Sequence, residues 1–98
     1  MKSVMVSEDE QDRCYICGRR ATEWHHIFGG ANRKNSTKYG LVVPLCHACH
    51  NEPPNGVHFN REMMDSLRAD GQRRFETIAS HDEFMRIFGR NYIEDSEH

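Results

Sequence analysis

Cys14-Tyr15-Ile16-Cys17-Gly18 and, further along, Cys46-His47-Ala48-Cys49-His50-Asn51 are the stretches on which the fold turns. A two-residue spacing lets both sulfurs of a pair face one tetrahedral zinc, and two such pairs supply all four ligands. Cys14, Cys17, Cys46 and Cys49 therefore read as a closed, structural Zn²⁺ site. With four thiolates in place no position remains for water or substrate, and the affinity for zinc becomes folding free energy. The other reading, two disulfides or free thiols, fits poorly with the setting that the sequence suggests. Met1 to Asp12 lacks the apolar segment of a secretory signal, and no run approaches the ~18 apolar residues of a membrane span. A soluble, cytoplasmic protein with no membrane partner is expected, and in a reducing compartment paired cysteines are more often metal ligands than disulfides.

A zinc staple also suits the composition. Leu, Ile, Val and Phe make up 18 of the 98 residues, below the roughly 20% at which burial alone becomes doubtful as a source of order. The net charge of −2 hides an uneven distribution. Residues 1–12 and 94–98 each carry −3, and residues 13–93 carry +4. Within residues 13–51 six Lys and Arg face one acid, Glu23, although four zinc-bound thiolates would offset about two of those charges. An anionic partner fits, and nucleic acid is one candidate; a solvated surface without a ligand is the other reading. The acidic ends read as flexible tails, leaving residues 13–93 as a single domain.

The 28 residues from Gly18 to Leu45 exceed the common spacing of a zinc ribbon, so the segment between the knuckles must form a unit of its own. Thr22 to Ile27 and Gly40 to Leu45 are strand candidates, and an antiparallel pair of them predicts an α+β domain with helices to follow. Phe28 to Tyr39 is read as a long polar loop carrying Arg33, Lys34 and Lys38. Pro53-Pro54-Asn55-Gly56 cuts a short helical turn after Cys49. Asn60 is then expected to cap a helix with Met63, Met64, Leu67, Phe75 and Ile78 near one face, with Asp70-Gly71 as a possible break. Ser80-His81-Asp82-Glu83 is a capping-box sequence, predicting a last helix that carries Phe84, Met85, Ile87 and Phe88 and stops at Gly89.

Inside the cysteine frame sit Trp24-His25-His26-Ile27 on the first strand and His50 directly after the last cysteine, with His58 beyond the proline turn. This arrangement, over about residues 14–58, resembles the HNH endonucleases of the ββα-metal, treble-clef group in their zinc-stapled form. The run Tyr39-Gly40-Leu41-Val42-Val43-Pro44-Leu45-Cys46, with Gly56-Val57-His58-Phe59-Asn60 and Phe88-Gly89-Arg90-Asn91-Tyr92, is similar to small HNH proteins of phages and prophages. The resemblance implies a treble-clef/ββα-metal zinc domain that hydrolyses DNA, with His26 as general base. It further implies that His25 and His50 bind a catalytic divalent metal, Mg²⁺, Mn²⁺, Ni²⁺ or Zn²⁺. His58 would return to the ligand place that Pro53-Pro54 removes from one helical turn beyond His50. Phage recombination or packaging proteins are the protein partners it suggests. One departure stands out: the middle Asn of the HNH pattern is replaced by Gly40, and Asn35 or Asn51 is left to substitute.

The residue types suit phosphodiester hydrolysis, which needs an activated water and relief of charge on the phosphoryl oxygens. A neutral imidazole near its ordinary pKa of about 6.5 can take a proton at physiological pH. Adjacent strand residues point to opposite faces, so a regular strand gives His25 and His26 different tasks. Arg33 and Lys34 are placed to contact phosphates, and Arg19 and Arg20 beside the first knuckle are lesser candidates. His47, His81 and His98 have ordinary explanations. The competing functional reading is a non-catalytic treble-clef module that binds nucleic acid or protein.

Overall fold

The computed structural model describes residues 2–93; the acidic segment 94–98 lies outside them. Two four-residue strands, β1 (Glu23–His26) and β2 (Val42–Leu45), pair antiparallel, with Glu23 opposite Leu45 and His26 opposite Val42. They fall within the two predicted stretches, β1 shorter by one residue at each end and β2 by two residues at its start. Around the hairpin run α1 (Arg33–Lys38), α2 (His47–Asn51), α3 (Arg61–Ile78) and α4 (His81–Phe88). Among the described residues no helix is long and apolar enough to cross a membrane.

All four β2 residues are buried because both of the strand's edges are used. On one side lies β1; on the other the Tyr15 amide donates to the Pro44 carbonyl at 2.8 Å, and Ser3 Oγ donates to the Val42 carbonyl at 2.6 Å. Val4 N–H reaches the Gly40 carbonyl at 2.9 Å, and Arg74 Nε donates to the Val4 carbonyl at 2.8 Å. Residues 2–5, expected as part of a flexible tail, thus lie against the body. The charge pattern that suggested a tail missed Val4 and Met5, which pack on the core.

The segment read as a loop holds a 3-10 turn at Gly30–Asn32 followed by α1. Its two ends are tied by Ser36, which is fully buried. Ser36 Oγ accepts from the Phe28 amide at 3.2 Å and donates to the Leu41 carbonyl at 2.5 Å. Gly40 stops the helix with φ +72, and a Cβ there would stand 3.1 Å from both Val4 N and Val4 Cγ1. The glycine that departs from the HNH pattern thus has a local cause, a left-handed turn packed beneath the amino-terminal segment.

The caps fall where the sequence put them. Asn60 Oδ1 accepts from Met63 N at 3.1 Å, Ser80 Oγ accepts from Glu83 N at 3.0 Å, and Gly89 ends α4 at φ +77. No break occurs at Asp70-Gly71: α3 passes straight through. A Cβ at Gly71 would sit 3.2 Å from Ile27 Cγ2 and from Phe28 Cε2, so this glycine serves a close helix-to-strand approach. Ile78, expected to pack with its helix face, is 62% exposed, because it lies in the last turn of α3 beyond the aromatic core. That core joins Phe28 to Phe84, Phe88 and Tyr92, with ring centroids 5.6, 4.6 and 5.1 Å away.

Candidate metal centres

The knuckle turn forms because Gly18, at φ +78, lets its amide fold back to the Cys14 carbonyl at 2.9 Å. Docking of Tyr15 on Pro44 then brings this turn to the start of α2, whose first residue follows Cys46. The sulfurs of Cys14, Cys17, Cys46 and Cys49 lie within 4.8 Å of one another, with Cys17 Sγ 3.6 Å from Cys46 Sγ. Thiolates ~2.3 Å from a tetrahedral zinc stand about 3.8 Å apart, so the group can hold a structural metal such as zinc. All four are free thiols, not disulfides.

Burial is the largest single influence on the Cys14 thiol and raises it. The backbone amides of Cys17, Cys46 and Ile16, together with the Cys17 thiol, outweigh it and bring Cys14 down to about 6. Cys49 is pushed up, by burial first and then by its three cysteine neighbours. One thiolate in the cluster opposes a second, a balance that a divalent cation reverses.

A second convergence lies beside the first. On β1, Glu23 and His25 share one face, and Trp24 and His26 take the other. His25 is 4% exposed. His50 comes from the last turn of α2, directly after Cys49. His58 arrives from the turn Val57–Phe59, and Gly56 makes the return possible: a Cβ there would meet Glu52 N at 2.7 Å and Glu52 O at 2.8 Å. One ring nitrogen from each of His25, His50 and His58 lies within 4.8 Å of the others. His50 Nε2 and His58 Nε2 are 3.1 Å apart, close to the ~3.4 Å expected for imidazoles sharing one tetrahedral zinc. His25 Nε2 is buried with no hydrogen-bond partner among the described residues.

Burial favours the neutral form, the form that binds metal, at His25 and His58. Burial, followed by the charges of His50, His58, His26 and Arg68, holds His25 down to about 3. Burial and His50 lower His58. Three imidazoles with no fourth protein ligand among the described residues make an open set, unlike the closed cysteine group.

The sequence reading passed over Glu23. Its Oε1 accepts from His50 Nδ1 at 2.6 Å and from Asn51 Nδ2 at 2.9 Å, and its Oε2 accepts from His47 Nδ1 at 2.8 Å. A carboxylate only accepts, so His50 Nδ1 carries a proton, and Nε2 is the nitrogen turned toward His58. Those hydrogen bonds from His47 and His50 hold the Glu23 carboxyl below its usual range and raise His47. Strand alternation was the signal for Glu23, since residue i−2 shares the face of His25. Of the two asparagines left open, Asn51 joins this network through Glu23, while Asn35 donates to Asn32 Oδ1 at 3.4 Å.

His26 stands next to the three-histidine group but outside it. Half-buried, it is lowered by burial, then by Arg33 and by His50. Arg33 and Lys34 are exposed in the first turn of α1, and Arg33 acts electrostatically on His26. His81 donates to Glu76 Oε2 at 2.8 Å on the far helices, and His98 lies outside the described residues. No family model, curated protein or solved structure matched the chain.

Proposed function

We propose that this protein is a metal-dependent endonuclease of the HNH type, built on a zinc-stapled treble clef and hydrolysing DNA phosphodiester bonds one strand per site. The observation that carries the reading is the convergence of His25, His50 and His58 within 4.8 Å, around a buried His25 nitrogen without a partner. These three histidines would hold the catalytic divalent metal. The chemistry such a cation supplies when bound is relief of negative charge on a phosphoryl oxygen and on the departing oxygen.

The chain's own residues do the rest. His26, kept neutral by burial and by Arg33, accepts a proton from water as the water oxygen attacks phosphorus. The bond from phosphorus to the 3′ oxygen breaks, leaving a 5′-phosphate, and the departing 3′ oxygen takes a proton from solvent water to become the 3′-hydroxyl. Arg33 and Lys34 hold flanking phosphates without reading bases. Glu23 keeps the His50 lone pair directed at the site.

The test is incubation of the purified protein with supercoiled plasmid and Mg²⁺, Mn²⁺ or Ni²⁺, beside His26→Ala and His50→Ala. Nicking is expected from the wild type. His26→Ala should be inactive with the second metal still bound, and His50→Ala should lose that metal. If all three nick alike, or none does while DNA is bound, the nuclease reading fails. The competing reading, a non-catalytic treble-clef binding module, rests on Gly40, which stands where the HNH pattern has its middle Asn. Binding of DNA with no cleavage under any of the three metals would select it.

A further inference from the structure

The carboxy-terminal helices lie outside the segment that resembles HNH nucleases, yet the charge of one of their cations is felt at His25. Helix α3 starts directly after the His58 turn and packs on it; further along, Gly71 abuts Ile27. Arg68 sits three residues before Gly71, on the same helix face. It therefore lies over the part of β1 just before Ile27, between the His58 turn and the Gly71 contact. Buried Leu67 and Ala69 on either side fix its backbone, and its charge is felt at His25.

The other described arginines with printed partners are accounted for. Arg61 pairs with Asp65, Arg73 with Asp70 and Arg86 with Glu83, while Arg74 donates to the Val4 carbonyl. Arg68 has no carboxylate beside it among the described residues. Its Nε is buried without an acceptor, and its guanidinium rests 5.7 Å from the centre of the Tyr92 ring. A half-buried guanidinium is normally paired. Its charge also acts on His25, part of a group suited to a divalent cation, which it would repel unless an anion lay between the two. The Tyr92 face holds it in place while leaving its planar N–H groups for a ligand.

We propose that Arg68 is the anion-recognition residue of the three-histidine site, donating to a non-bridging oxygen of a phosphodiester bound there. This rests on the reading of that site as a metal centre for phosphodiester hydrolysis. The shared chemistry is a phosphate oxygen, whether from a nucleic-acid backbone or from free phosphate.

The experiment compares zinc-replete wild type, Arg68→Ala, Arg68→Lys and, as an exposed control, Arg61→Ala. Three quantities are read: Mn²⁺ affinity by calorimetry, affinity of the Mn²⁺-loaded protein for inorganic phosphate, and KM and kcat for bis(4-nitrophenyl) phosphate. Arg68→Ala should keep or tighten Mn²⁺ binding, as a neighbouring positive charge is removed, and weaken phosphate roughly tenfold. The diester should lose kcat/KM by a similar factor. Arg68→Lys retains the charge and the apolar stem without the planar fork, and should recover part of the loss. Loss with the diester but not with phosphate still supports the assignment and names the substrate as its source. Unchanged affinity for both anions in Arg68→Ala overturns it and leaves the metal centre standing, as does an equal loss in Arg61→Ala. Failure of the wild type to bind Mn²⁺ overturns both. Melting curves check each variant, and if Arg68→Ala does not fold, wild-type anion affinity and kinetics in Arg68→Lys overturn the proposal.

Discussion

Glu23→Gln changes one atom, and the structure states what that atom does. Glu23 accepts three hydrogen bonds with two oxygens: His50 Nδ1 at 2.6 Å and Asn51 Nδ2 at 2.9 Å on Oε1, and His47 Nδ1 at 2.8 Å on Oε2. A carboxamide keeps one oxygen and puts an NH₂ donor in place of the other. If the donor faces His50, that ring must accept through Nδ1 and move its proton to Nε2, the nitrogen turned toward His58. If the donor faces His47, the His50 bond survives in weaker, uncharged form. Either way the negative charge beside the proposed ligand His50 is gone. Partners of this kind are worth about 10- to 100-fold in metal affinity, or roughly 1.4–2.7 kcal/mol. Calorimetric titration of Mn²⁺ or Ni²⁺ into zinc-replete Glu23→Gln, with nitrogen NMR of the His50 ring, reads both effects. Structural zinc should remain stoichiometric. Wild-type affinity for the second metal together with an unmoved His50 proton would refute the reasoning.

Three other perturbations test different parts of the molecule. Cys46→Ser removes a ligand from the staple and should lower zinc content and cost several kcal/mol of stability, read by melting with metal analysis; an unchanged melt at full zinc would count against the site. Gly56→Ala places a methyl 2.7 Å from Glu52 N and should cost about 1–3 kcal/mol, weakening second-metal binding through His58 while the structural zinc stays. In zinc-replete protein with no second metal added, the His25 ring, at about 3 against 6.5 unfolded, makes the unfolded chain bind the extra proton between those values. Its contribution is therefore complete above pH 6.5 and is lost as pH falls through that window, by up to ~1.4 kcal/mol per unit. Chemical denaturation at pH 7 and pH 5 measures it, and equal stability at both would contradict a neutral buried His25.

The parts legible in the sequence are those whose cause is local. Cysteine pairs two residues apart, an Asn or Ser three residues before a helical amide and a glycine at a helix end act within one turn of chain, and each was found where it was expected. Features that depend on a distant neighbour were missed or misread. Gly71 looked like a helix break because nothing nearby says that Ile27 and Phe28 will press against it. The polar segment 33–38 became a helix because Ser36 ties Phe28 to Leu41 across it. Val4 and Met5 looked like part of a tail because nothing near them says that Gly40, Arg74 and the core will hold them. Glu23 stood in plain view as the one acid of a basic stretch, but its value comes from His47 and His50, more than twenty residues away. Its side of the strand was readable; its partners were not.

Phe28 follows the histidine strand by two residues and is almost completely buried, at 2% exposed, among Phe84, Phe88 and Tyr92. The boundary of a motif and the boundary of a folding unit therefore differ in this chain. A fragment cut to the metal-binding segment would carry every proposed ligand, yet would leave Ile27 and Phe28 facing water, at roughly 2–3 kcal/mol each. It would also lose the ceiling that Gly71 presses onto the strand. Transplanting the metal chemistry to another scaffold thus requires an aromatic host for Phe28 as much as it requires cysteines and histidines. Divergence among related sequences would be expected to keep that aromatic contact while the surface of the two helices drifts.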